Sequence, residues 1–246
     1  MKDYYQISTE QHEYYNQNGY LLLKKLIPED VCEELIRESD EFAKGLYTNY
    51  LQMHKYKTFQ KIHTGKLFCT IGDQIVGSKV IPVGSIFFYC KPGNFENEHG
   101  STWHQDNYAA KAPVGAYLNI AVSLDEADKD NGSLFVVPGS HKLGDLPCNP
   151  KANFTNDAEG NLVCFTRIGS NTEVPQDSNI IQLEYQRGDV LLVHANLLHK
   201  AEQNRHPTRW RRKMYFCYIK EEAPFWPGWN AKRELLERFD SEKYQK

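Results

Sequence analysis

None of the six cysteines (Cys32, Cys69, Cys90, Cys148, Cys164 and Cys217) stands in a Cys-x-x-Cys pair. That spacing argues against a structural zinc site on paired thiolates. The opening MKDYYQISTEQHEYY has no apolar core of the secretory kind, and no hydrophobic run approaches the length of a membrane span. A cytoplasmic protein with reduced thiols and no membrane partner is therefore expected. Strong charge of either sign is also missing: the formal net charge is −3, so nothing global recruits nucleic acid. One basic cluster, RHPTRWRRK at 205–213, stands alone without a nucleic-acid-binding motif. Internal repeats and low-complexity tracts are absent as well.

Aromatic residues are plentiful, with 15 Tyr and 12 Phe, as suits a β-rich protein. At 246 residues, a single domain covering 1–246 is expected. A capping signature, Ser8 or Thr9 followed by Gln11, opens a helix that Gly19 ends. YLLLKKLI reads as a buried strand. PEDVCEELIRESDEFAKG reads as a helix, with Pro28 and acids at its start and Val31, Leu35, Ile36 and Phe42 along one face. Residues 46–80 read as mixed helix and loop. From Val83 onward, seven short β-prone runs follow, separated by Gly, Pro, Asn or Asp: SIFFYCK, GAYLNIAVSL, SLFVVP, NLVCFTRI, NIIQLEYQ, GDVLLVHANLLH and KMYFCYI. Such a series predicts a sandwich or barrel. The Asn/Gly/Asp-rich stretch 147–177 reads as an insertion over one end of the sheet, and the tail is expected to end in a short amphipathic helix.

The chemistry is concentrated in WHQDNY at 103–108. In an extended segment His104 and Asp106 leave the same face and Gln105 the other. An imidazole and a carboxylate converging on one point suit a divalent first-row metal. A third ligand is available in GDVLLVHANLLHK, at His194 or His199. Two histidines and a carboxylate on one face of an octahedral ion leave three positions open, which suits iron(II) better than zinc. A bidentate 2-oxo acid and dioxygen can fill them. The far carboxylate of such a co-substrate calls for a guanidinium, and Arg209, Arg211 and Arg212 follow the second histidine pair.

These segments resemble the phytanoyl-CoA dioxygenase family of iron(II)/2-oxoglutarate oxygenases over most of the chain. The similarity runs from NGYLLLKKLIPEDVCEEL through FFYCKPG, STWHQDNY, LDEADKDNGSLFVVPGSHKLG and GDVLLVHANLLHKAEQNR to RRKMYFCYI. It implies a mainly β fold with flanking helices, a double-stranded β-helix or jelly roll. It implies Fe(2+) held by His104, Asp106 and His199, with 2-oxoglutarate and O2 as co-substrates and a small molecule as substrate. It also implies Arg211 as the 2-oxoglutarate cation, with Arg212 of opposite parity pointing outward, where its replacement should be near neutral for 2-oxoglutarate kinetics.

Alternation puts Ser85, Phe87, Tyr89 and Lys91 on one face, and the resemblance turns that face toward the co-substrate, so Phe87 and Tyr89 are expected to line its pocket. Asn119 shares a face with Ala121 and Ser123 and is expected to contact co-substrate or substrate. His141 is expected not to ligate. Ala201 replaces a hydroxyl residue frequent in the family, and Arg211 sits one residue further from His199 than in many relatives, which keeps Arg209 in view. The expected reaction is hydroxylation of an unactivated C–H bond with decarboxylation of 2-oxoglutarate to succinate. A metal-dependent hydrolase and a non-catalytic jelly-roll binding protein are the alternatives. Nothing marks an acyl-CoA site, although Arg205, Arg209 and Lys91 would suit an anionic substrate.

Overall fold

The structure, a computed structural model, describes residues 3–43, 49–93, 101–148, 154–156, 162–164, 172–227 and 233–238. Its helices are α1 (Thr9–Asn18), α2 (Glu29–Ala43), α3 (Lys57–His63), α4 (Lys66–Val76) and the one-turn α5 (Asn107–Ala110). Its strands are β1 (Tyr20–Leu23), β2 (Asn49–Leu51), β3 (Val80–Cys90), β4 (Tyr117–Ser123), β5 (Leu134–Val136), β6 (Phe154–Asn156), β7 (Leu162–Cys164), β8 (Ile181–Gln182), β9 (Val190–His194), β10 (His199–Ala201) and β11 (Arg211–Lys220).

The amino-terminal signals act as read. Ser8 accepts from the Gln11 amide and Gln11 reaches back to the Ser8 amide, closing a capping box, and Gly19 ends α1 in the left-handed region. The β-prone runs then pair antiparallel into a six-stranded sheet, β1-β9-β4-β11-β3-β2, facing a three-stranded sheet, β10-β5-β8. Two opposed antiparallel sheets with helices outside form the jelly roll that the sequence leads one to expect.

Strand parity sorts the large sheet into two faces, and both are buried. Leu118, Ile120, Val122, Leu192, Met214, Phe216 and Tyr218 join the helical layer of Leu35, Phe59, Leu67, Phe68 and Ile71. Ala121, Leu191, Val193 and Tyr215 face Leu134, Val136, Leu183 and Tyr185 between the sheets. Strand β9 therefore reads as an unbroken apolar run rather than an alternating one.

Two expectations are corrected here. Phe87 and Tyr89 share a face, but it is the helical one: Phe87 packs edge-on against Phe59 at 5.6 Å, and Tyr89 lies 5.1 Å from Trp210 and donates to Asp40. The between-sheet positions of β3 are Ile86 and Phe88, the latter 5.3 Å from Tyr215. With both faces apolar, alternation alone does not say which one looks inward. The tail is corrected as well. Residues 233–238 are not helical but strap onto β3, with Glu234 N–H donating to the Val83 carbonyl and Leu236 N–H to that of Pro82. Arg238 anchors the strap with two parallel bonds to Asp73. The last residues of the expected helix lie outside the described residues, as does most of the 147–177 insertion. Within that insertion, β6 pairs with β7 and Cys148 bridges Thr172.

The Asn131-Gly132 corner fixes the approach to β11. Asn131 donates to the carbonyls of Glu126 and Trp210 and accepts from Asp128 N–H. Gly132 has φ +84°, and a Cβ there would stand 2.5 Å from the Gln203 carbonyl. Gly132→Ala combines backbone strain with a backbone clash and is expected to cost about 2–3 kcal/mol. In a chain of this size that is a drop of roughly 4–12 °C in thermal midpoint, measurable by calorimetry.

Candidate metal and co-substrate site

The segment Trp103–Asp106 leaves the fold as a single antiparallel bridge. His104 N–H donates to the His199 carbonyl and His199 N–H to that of His104, both at 3.0 Å. This mutual pairing puts the two rings on the same side, with centroids 4.3 Å apart. Each ring turns its Nδ1 to the carbonyl two residues earlier, His104 to Thr102 at 2.7 Å and His199 to Leu197 at 2.9 Å. A carbonyl can only accept, so Nδ1 carries a proton in each ring, and the neutral form of each keeps its lone pair on Nε2. Both Nε2 atoms face Asp106, at 3.5 Å from Oδ1 and 3.7 Å from Oδ2.

One ligand atom from each of the three residues falls within 4.8 Å of the others, and no other such group of three or more occurs among the described residues. Backbone geometry differs from the fully extended one assumed from sequence: Asp106 lies in the right-handed helical region at the head of α5. Gln105 still points away, as expected. It is buried and donates to the carbonyls of Gly144 and Asn196 while accepting from Leu146 N–H. Sequence reading passed over this anchor and its neighbours. Asn107 and Asn196 both donate to Asp145, tying α5 to the loop that carries Asn196. The abundance of Asn and Asp near the motif was the available signal.

Asn119 faces the interior as parity requires, but its partner is the carboxylate of the triad. Its Nδ2 donates to Asp106 Oδ2 at 2.6 Å. Burial alone would raise the Asp106 pKa; His199, His104 and the Asn119 bond outweigh it and hold the carboxyl well below its usual range. Burial, with the nearby His104 and Lys213 charges, pushes His199 down to about 4. Asp106 is thus anionic and His199 neutral near neutral pH, the forms that bind a metal. His194 is elsewhere, 4.9 Å from the His141 ring and 6.3 Å from Tyr15, accepting from Asn196 N–H at Nδ1. His141 is bound to the Asn16 carbonyl. Neither joins the triad.

The three arginines separate cleanly. Arg209 is spent at the rim, bidentate on Asp128 with a further bond to Glu126. Arg212 lies on the helical face, where two parallel bonds of 2.8 and 2.9 Å join it to Asp125. Arg211 is buried beside Cys90 in register, on the face that carries Lys213 and Tyr215, and its Nη2 donates to the Glu202 carbonyl.

The family model described as phytanoyl-CoA dioxygenase (PhyH) matches residues 40–213. The chain belongs to the phytanoyl-CoA dioxygenase family. It is a non-haem iron(II)/2-oxoglutarate dioxygenase, with iron(II), 2-oxoglutarate and O2 as its cofactor and co-substrates. Peroxisomal phytanoyl-CoA dioxygenase of Rattus norvegicus is 22% identical over 239 residues, covering 86% of this chain and 68% of that protein. The fold is similar to the epimerase SnoN of nogalamycin biosynthesis, solved with Fe3+, α-ketoglutarate and nogalamycin RO (TM-score 0.66, 18% identity, 87% and 84% of the two chains). It is also similar to EctD from S. alaskensis, solved with 2-oxoglutarate and 5-hydroxyectoine (TM-score 0.65, 18% identity, 87% and 76% of the two chains). Among the described residues no helix is long and apolar enough to cross a membrane.

Arg212 does take the parity opposite to Arg211, and its surroundings make it part of the packing that holds the fold. Outward on β11 means into the helical layer, where Arg212 is 9% exposed. Arg212→Ala would remove both guanidinium bonds and leave Asp125 with the backbone N–H of position 212 and with Arg187, 3.7 Å away. A loss of roughly 3 kcal/mol in unfolding free energy is expected from breaking such a pair, read by denaturant titration.

Proposed function

We propose that His104, Asp106 and His199 hold the iron(II) and that Arg211 takes the distal carboxylate of 2-oxoglutarate, in one oxygenase domain spanning residues 1–246. The reaction proposed is hydroxylation of an unactivated C–H bond of a small molecule, with 2-oxoglutarate converted to succinate and carbon dioxide. The carrying observation is the three-atom ligand cluster, in which carbonyls set the tautomer of both imidazoles and Asn119 donates to the carboxylate. The donor set, two neutral nitrogens and one carboxylate on a single side, fits iron(II) with positions left for a chelating co-substrate. Once bound, iron(II) and 2-oxoglutarate supply the activation of O2.

The protein's share is placement. The paired backbones of His104 and His199 fix the spacing of the two nitrogens. Asn119 keeps one Asp106 oxygen engaged and the carboxylate in a single orientation. Arg211 offers a planar, permanently charged donor for a distant carboxylate. Apolar walls from Ile86, Phe88 and Tyr215 limit water around the co-substrate. A hydrolytic metal centre would have no use for Arg211 within the barrel. We place the protein in the cytoplasm and assign it neither a nucleic-acid nor a membrane partner; the chain's near-neutral charge balance supports this.

Asp106→Ala is expected to abolish succinate formation and iron retention against a chelator, with the circular dichroism of the wild type retained. His194→Ala should keep both activities. The converse pattern would remove the triad assignment. Arg211→Ala is expected to raise the apparent KM for 2-oxoglutarate about a hundredfold or more, from the loss of a charge-assisted bidentate contact. Its iron affinity should stay near that of the wild type. Screening small molecules for stimulated succinate release identifies the substrate, and analysis of its product tests hydroxylation.

A further inference from the structure

Lys213 is the unusual residue of the barrel interior. It is 3% exposed, and its Nζ has no hydrogen-bond partner among the described residues. Its neighbour in register on β4 is Ser123, whose buried Oγ is likewise without a partner. On β3 its neighbour is Phe88, an apolar side chain. The Tyr185 ring, centred 3.7 Å from Nζ, offers a π-face, which offsets part of the cost of burying the charge. Among the described residues, Asp189 is the acid whose charge acts on Lys213, and it is already engaged by Lys24 Nζ, Lys25 N–H and Gln186 N–H.

Arg211 precedes Lys213 by two residues on the same strand face, a Cα separation of about 6.6 Å. Two cations therefore lie side by side where each disfavours the other. Burial and the Arg211 charge push the Lys213 pKa well below the ordinary lysine range. Removing charge from water without an acceptor is costly. An anion between the sheets would offset both charges, and the distal carboxylate assigned above to Arg211 is the anion this interior would receive.

We propose that Lys213 and Ser123, side by side on neighbouring strands, complete with Arg211 a two-cation cradle for the distal carboxylate, so that discrimination against monocarboxylic 2-oxo acids depends on Lys213 as well as on Arg211. Lys213 donates through its ammonium and Ser123 through its hydroxyl, so that the carboxylate has donors beyond the guanidinium. Lys213 is in this view a specificity-determining residue. The proposal rests on the co-substrate reading above.

The test uses full-length protein loaded with manganese(II), titrated calorimetrically with 2-oxoglutarate and with 2-oxobutyrate, which keeps the chelating head and lacks the distal carboxylate. Lys213→Met is expected to weaken 2-oxoglutarate about tenfold or more and to leave 2-oxobutyrate unchanged. Ser123→Ala, which removes one oxygen atom, should weaken 2-oxoglutarate by roughly two- to tenfold with the same selectivity. It decides the matter if Lys213→Met does not fold. Unchanged 2-oxoglutarate binding, or an equal loss for both acids, overturns the proposal. A lower melting temperature of ligand-free Lys213→Met with unaltered selectivity would make Lys213 a structural cation and likewise overturn it. If wild-type protein does not prefer 2-oxoglutarate over 2-oxobutyrate, the co-substrate reading itself fails; if it does and only the Lys213 and Ser123 effects are missing, that reading stands and the cradle falls.

Discussion

The reciprocal backbone pairing of His104 with His199 is the constraint on which the site depends. Two hydrogen bonds join a segment leading into α5 to the first residue of β10. They bring together side chains far apart in the chain and leave no freedom in ring spacing beyond side-chain rotation. The carbonyls of Thr102 and Leu197 then remove that freedom. Asp106 enters from the turn that follows, held by Asn119 from the neighbouring sheet. Around this point the Gln105, Asn107, Asn196 and Asp145 network satisfies loop backbone that a β-sandwich would otherwise leave unpaired near its mouth.

A second constraint is that the large sheet is covered on both sides. One face carries the helices and the other encloses the site. The fate of β11 residues follows from this division. Arg212, Met214, Phe216 and Tyr218 serve the helical interface, whereas Arg211, Lys213, Tyr215 and Cys217 turn inward. Charges on the helical side are matched to acids, as Arg212 is to Asp125 and Arg238 to Asp73. Lys213 differs by pointing between the sheets with aromatic rings around it. That contrast distinguishes charges that hold the fold together from charges set toward a ligand.

The sequence by itself determined a good deal. The capping box at Ser8, the Gly19 stop and the train of short strands were legible because they depend on local chemistry: hydrogen bonds within a turn, left-handed backbone and side-chain period. His-x-Asp with a later histidine pointed to metal binding, and longer motifs pointed to the family. What only the tertiary structure decided is which face of each strand looks inward, and with it the place of Phe87, Tyr89, Asn119 and Arg212. It also replaced an expected terminal helix by a strap on β3, and it separated His199 from His194. The reason is physical. Period-two alternation fixes which side chains travel together, but when both faces of a sheet are buried the apolar signal is equal on each. Only the partner packed against a face, helix or opposing sheet, breaks that symmetry.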